Sequence, residues 1–206
     1  MSGDSAMDRR RVKGFDFTSA MRRLCEDIVN RVPIFSHIQM EKVAVSFVQA
    51  RSESVYGTYA RLTPLRFAGG ATTTVKNGQK WTIQRVIVDN QEMLYILSFY
   101  LPRFLNLPFR EKMITVFHEL YHISPDFDGD FRRFEGRYKI HSHSAKEFDR
   151  HLEQYVDLFL KTTPDESLYE FLRFDFDQIY RKWGGIYGIK IPIPKLIPVG
   201  EVIFKV

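Results

Sequence analysis

Two hydrophobic periods divide this chain, and their order is the strongest constraint on its fold. Between residues 42 and 100 the apolar residues fall in short β-branched and aromatic runs: 42–51 (KVAVSFVQAR), 56–62, 72–75, 81–88 and 93–100 (MLYILSFY). Lys76-Asn77-Gly78-Gln79 separates two of them, and Asn-Gly between alternating segments is the strongest short-range hairpin signal. Asp89-Asn90 supplies another turn. This half reads as a meander of four or five antiparallel strands.

A helical period brackets the strands. Phe17, Met21, Leu24, Cys25, Ile28 and Val32 recur at helical spacing until Pro33, which predicts a helix over 17–32. Met113, Val116, Phe117 and Leu120 share one face of a second helix over 108–123, opened by Pro108. Residues 124–140 carry Pro125, Gly129 and Gly136 and show no period, so they read as a loop. Ser144 to Glu147 spells a capping box, followed by the apolar stripe Phe148, Leu152, Tyr155, Val156 and Phe159. Thr163 to Glu166 repeats that signature for a last helix ending at Gly184-Gly185. Residues 190–206 form an extended apolar tail, and 1–14 are polar, basic and expected to be mobile. With no internal repeat and no dividing linker, 1–206 reads as one α+β domain: a sheet packed on an N-terminal helix, a central helix and C-terminal helices.

Composition excludes several classes. The longest apolar run, 93–101, is far too short to span a bilayer. No apolar segment follows the basic N-terminus as a secretory signal requires, and a single cysteine, Cys25, cannot form an internal disulfide framework. A cytoplasmic protein is expected. Thirty basic against twenty-five acidic residues leave a net charge of +5, which permits an anionic partner without requiring one. No phosphate-binding glycine loop and no G-x-S-x-G elbow is present. Cys25 falls on the apolar face of the first helix and reads as a small buried hydrophobe.

The histidines are unevenly placed. Five of the six, His118, His122, His141, His143 and His151, lie within thirty-four residues. His118-Glu119-Leu120-Tyr121-His122 is an H-E-x-x-H on a segment with helical period. Spacing of i and i+4 puts both imidazoles on one face, where they can reach a single Zn²⁺. Glu119 is then placed to take a proton from metal-bound water. Such a metal needs a third protein ligand, and the candidates are His141, His143, Glu147, His151 and Glu153. His143 is favoured, because it stands at the entrance of the next helix, off its apolar stripe. His141 is the second choice, with a role beside the metal or the substrate as its alternative; Glu147 is explained by capping and His151 by a helix surface.

Residues 118–149, HELYHISPDFDGDFRRFEGRYKIHSHSAKEFD, resemble the family of putative phage metallopeptidases, as does YILSFYLPRFLNLPFREKMITV just before them. The likeness covers roughly 43–160. More distantly the segment is similar to SprT-like zincins, although His143-Ser-Ala-Lys-Glu-Phe148 has one residue more between His and Phe than their motif and Ser in place of Gly. The resemblance implies a zincin-like fold, zinc ligands at His118, His122 and His143, and a water-activating Glu119. The expected function is therefore a zinc metallopeptidase acting on peptides or proteins.

Two neighbouring features have blander readings. Asp126-Phe-Asp128-Gly-Asp130 departs from the calcium-loop pattern, with Phe131 where Gly is needed and no Glu six residues further on, and reads as a turn with solvated carboxylates. Arg132, Arg133, Arg137 and Lys139 interleave with Phe131, Phe134 and Tyr138, a mixture able to hold a nucleic-acid backbone together with Arg9, Arg10 and Arg11. Tyr138 could also serve as an oxyanion stabiliser. The alternative function is thus a nucleic-acid-binding or regulatory protein with a zincin-like site, or a DNA-associated protease. By analogy with zincins, the strand at 93–100 is the expected sheet edge for an extended peptide.

Overall fold

The computed structural model describes residues 14–50, 57–133 and 145–200. In chain order these form β1 (Phe15–Asp16), α1 (Phe17–Arg31), β2 (Val43–Gln49), β3 (Ala60–Pro64), β4 (Thr73–Lys76), β5 (Gln79–Ile83), β6 (Ile87–Val88), β7 (Gln91–Glu92) and β8 (Tyr95–Leu101). Then follow α2 (Phe109–Tyr121), α3 (Ala145–Lys161), α4 (Phe176–Trp183), β9 (Ile186–Tyr187) and β10 (Leu196–Val199). The fold is mixed α+β, with four helices and several small sheets among the described residues. No described helix is long and apolar enough to cross a membrane.

The single meander expected from the strand runs is not what forms. The central sheet has three strands in the order β2-β8-β3, with β2 parallel and β3 antiparallel to β8. β8, expected at an edge, is therefore the middle strand. Its sequence explains why: Tyr95 to Phe99 are all buried, as are Val43 to Phe47 of β2, and strands covered on both faces carry continuous apolar runs. The β4–β5 hairpin turns at Asn77 and Gly78, both at positive φ (53° and 75°), as the Asn-Gly signal requires. It does not extend the central sheet; β5 pairs instead with β10 of the C-terminal tail.

One face of the central sheet packs on α1 and α2. Phe17 lies edge-on to Phe99 and Phe104, at 5.7 and 6.2 Å between ring centroids. Phe117 contacts Phe35 and Phe159 at 5.6 and 6.0 Å, which ties α2 to α1's exit turn and to α3. All are fully buried, and burial of each such ring contributes about 2–3 kcal/mol. On the other face Ser46 and Ser98 share a buried hydroxyl hydrogen bond of 2.9 Å. The tail crosses that side, where Phe47 N–H donates to the Ile189 carbonyl at 3.0 Å.

α1 is capped by Asp16, whose carboxylate accepts from Ser19 N–H at 3.0 Å, and it stops one residue before the expected end. Cys25 is buried, and burial pushes its thiol far up. The expected helix over 166–184 is broken. Residues 166–168 and 170–173 form separate 3₁₀ turns, and α4 starts only at Phe176, behind a capping box of Asp175 and Gln178. Asp165 bonds Ser167 N–H at 2.9 Å and so closes a local turn that competes with helix propagation. α4 ends at Gly184, left-handed at φ 79°.

Lys112 of α2 is 2% exposed and donates from Nζ to the Leu172 and Phe174 carbonyls at 3.0 and 2.8 Å. It ties the central helix to the C-terminal turns. Burial pulls its ammonium down to about 8. The unfolded chain, at about 10.4, binds this proton more tightly than the folded one, so folding gains stability from this group as pH rises between the two values. Lys112→Met should cost about 1–3 kcal/mol at neutral pH by leaving two carbonyls without donors. Urea midpoints of both proteins across this pH window should show the parent gaining on the variant; parallel pH profiles would refute this account of Lys112.

Candidate active site

α2 carries two chemistries on its two sides. Met113, Val116, Phe117 and Leu120 are wholly buried in the core, while Thr115, His118 and Glu119 line a cleft of about 480 Å³. The 3.6-residue period achieves that division without further help. The helix ends at His122, whose N–H shares the His118 and Glu119 carbonyls, both at 3.3 Å. Arg132 then caps this end. Its backbone N–H donates to the His122 carbonyl and its Nε to the Tyr121 carbonyl, each at 2.7 Å, with the guanidinium 4.3 Å over the Tyr121 ring. A cation at a helix C-terminus also complements the dipole there.

The i, i+4 spacing brings the imidazoles together. His118 Nε2 and His122 Nε2 are 2.9 Å apart, with ring centroids at 4.6 Å. Two nitrogens held by one tetrahedral zinc at roughly 2.0–2.1 Å stand about 3.3 Å apart, so the pair needs to open by only a few tenths of an ångström. Borderline-soft imidazole nitrogens on one helix face fit zinc in type and in reach. His122 is nearly buried, beside Phe131 at 6.3 Å between centroids.

Glu119 sits differently from its neighbours. It is 9% exposed, and its Oε2 accepts from Leu62 N–H at 2.6 Å. Burial pushes its carboxyl up to about 7 against the opposing pull of the Leu62 N–H and the Arg61 charge. That hydrogen bond locates a sheet edge that has no further strand partner among the described residues. Tyr100 N–H donates to the Tyr59 carbonyl, so in the antiparallel ladder residues 59, 61 and 63 face β8 while Ala60 and Leu62 direct their backbone groups outward. The edge beside the site is therefore β3 and not the strand at 93–100, because β8 has partners on both sides.

Among the described residues no group of three or more His, Cys, Asp or Glu gathers as a metal set. Two of the five third-ligand candidates, His151 and Glu153, are described and do not gather with the pair. His151 packs edge-on to Tyr155 and Tyr121, at 4.9 and 6.0 Å, and Glu153 lines the cleft from α3 without joining the histidine pair. His141, His143 and the Glu147 side chain lie outside the described residues, as do Arg9, Arg10, Arg11, Phe134, Arg137, Tyr138 and Lys139.

The aspartate-rich turn is solvated only in part: Asp126 is exposed as expected, whereas the other two carboxylates are engaged within the fold. Asp130 is buried, accepts from Gly69 N–H at 3.0 Å and pairs with Arg133 at 2.8 Å. Asp128 accepts from Asp130 N–H, and the Tyr95 hydroxyl donates to the Asp130 carbonyl while accepting from Gly129 N–H. These carboxylates are consumed in shaping the turn that follows the histidine helix. Arg132 and Arg133, read as candidate phosphate contacts, are likewise engaged within the fold. Leu62 and the Ala60 edge had no signal in the sequence, since every residue but proline carries a backbone N–H.

Residues 17–171 match the family model described as putative phage metallopeptidase. No curated protein and no solved structure matches the chain. The matched span runs from the first residue of α1 into the turn at 170–173 and contains His118, Glu119 and His122.

Proposed function

The chain belongs to the putative phage metallopeptidase family, and on that footing we propose that it hydrolyses peptide bonds with a zinc ion held by His118, His122 and His143. The observation that carries this reading is the meeting of His118 Nε2 and His122 Nε2 at 2.9 Å beside a buried Glu119, on one wall of a cleft bounded by an open strand. Zinc, when bound, polarises the scissile carbonyl and acidifies a water. Glu119 accepts the proton of the attacking water and returns it to the leaving amine. The Leu62 N–H fixes one carboxylate oxygen, which leaves the other for that proton transfer. An extended substrate adds to β3 through the outward N–H and C=O of Ala60.

Protein purified without chelator should carry about one equivalent of zinc. It should cleave unfolded protein substrates, lose that activity on metal removal and regain it on addition of zinc. A metal content near zero that zinc addition does not raise would refute the proposed centre.

A further inference from the structure

The net charge of the chain is concentrated in one place. Residues 71–85 and 186–200 hold five basic residues, Lys76, Lys80, Arg85, Lys190 and Lys195, and no Asp or Glu. The chain has thirty basic and twenty-five acidic residues, so all the others together carry twenty-five of each and sum to zero. The whole +5 therefore belongs to the two segments that build the sheet β10-β5-β4. Arg85 is paired with Glu92 at 2.6 Å; the other four are lysines.

Apolar exposure gathers in the same place. Among the described residues nine large hydrophobic side chains are exposed, and six of them, Val75, Ile189, Ile193, Leu196, Ile197 and Val199, lie in these two segments. Such a concentration marks an interaction surface. Strand register shows how the groups are arranged. Val75, Lys80 and Val199 stand directly opposite one another across the three strands, and Thr73, Thr82 and Ile197 form the next row of the same face. Gln84 N–H donates to the Lys195 carbonyl at 2.8 Å, which continues the register and sets Lys195 on that face beyond Ile197. Ile83, on the opposite face, packs against the small cluster of Leu65, Met93 and Ile96, so the Val75 face is turned outward. Val75, Ile197 and Val199 are 69%, 44% and 38% exposed. Position 198 directs its backbone to the outer edge of β10 and is proline, so that edge lacks an N–H for a further strand and contact falls to the face.

The chemistry of the face selects its partner. Aliphatic side chains give bases no ring to stack on, which disfavours single-stranded nucleic acid. Protein interfaces draw their energy from Trp, Tyr and Arg and are depleted in Lys. Here the exposed groups are Val and Ile, with Lys80 between two valines. That combination suits a lipid surface, where aliphatic groups enter the acyl boundary. Lysine stems lie along them and hold the ammonium groups at the level of anionic headgroups.

We propose that the outward face of β4, β5 and β10 docks on an anionic lipid bilayer, lying on it and not crossing it. None of its residues lines the cleft, so the proposal stands apart from the peptidase reading.

Flotation of the full chain with lipid vesicles tests it. With about a third phosphatidylserine in phosphatidylcholine, most of the protein should float at about 0.1 M salt and be released at about 0.5 M. Vesicles of phosphatidylcholine alone should leave it behind. Lys80→Gln/Lys195→Gln should weaken the partition coefficient about 25-fold, at about fivefold for each lysine near such a surface. Val75→Ser/Ile197→Ser/Val199→Ser should weaken it about tenfold or more with the charge unchanged. The lysine pair keeps the test decisive if the serine variant fails to fold. No flotation on the anionic vesicles, equal flotation on the neutral ones, or binding that survives both sets of substitutions overturns the proposal. So does salt-dependent binding to a duplex oligonucleotide, in place of vesicles, that needs the lysines and not the aliphatic groups.

Discussion

Glu119→Gln is expected to keep its zinc and its fold while kcat falls about 100- to 10,000-fold, the range a positioned general base contributes. The substitution suits this site because the glutamine carbonyl can still accept from Leu62 N–H, the bond that joins α2 to the edge strand at 2.6 Å. Only the ability to take up a proton is removed. Glu119→Ala differs in kind, since it leaves the Leu62 N–H without its acceptor in a buried position and should cost about 1–3 kcal/mol. Zinc content, thermal midpoint and single-turnover cleavage measured on both variants separate these effects. Parent-like turnover in the Gln variant would remove Glu119 from its proposed role while leaving the histidine pair untouched.

Where the determinant is local, the sequence was a good guide. Phe17 to Ile28 share one face and Pro33 follows them, and α1 ends within a residue of the predicted place. Asn77-Gly78 makes its hairpin because positive φ at two consecutive positions is a local demand. Strand order is a different matter. KVAVSFV and MLYILSFY alone read as members of a meander, although unbroken apolar runs are the mark of strands buried on both faces. That pattern could have placed the strand at 95–101 in the centre, and with it β3 at the edge. The break at 166–175 is legible only in part, since Asp165 caps one turn and Asp175 another, and between them Phe171 and Leu172 are buried. At the site, the spacing of His118 and His122 contained the pairing of their nitrogens, because a helix converts i, i+4 into proximity. The Glu119 to Leu62 bond spans fifty-seven residues and uses a backbone group, so no residue type announces it.

The third ligand decides whether the histidine pair is a working centre, and its removal should have the largest effect on metal. Two imidazoles on one helix are a bidentate clamp, from which zinc exchanges readily; a third from another segment couples metal binding to the packing of α2 against α3. Those helices already meet through Phe117 and Phe159 at 6.0 Å, and the chain between them, 122–144, carries His141 and His143. His151 stands in the Tyr121–Tyr155 aromatic stack and Glu153 at the cleft wall, and among the described residues neither gathers with the histidine pair. His143→Ala should therefore weaken zinc binding more than 100-fold, beyond what loss of a supporting contact around a metal costs, and abolish hydrolysis. His151→Ala should keep both zinc and activity. His141→Ala should reduce activity more than metal content, as expected of a group beside the metal or the substrate. Competition of each variant with a chromogenic zinc chelator gives the affinities directly. Parent-like zinc affinity in His143→Ala, with loss in His141→Ala or Glu147→Ala, would move the ligand to that residue and leave His118, His122 and Glu119 in their proposed roles.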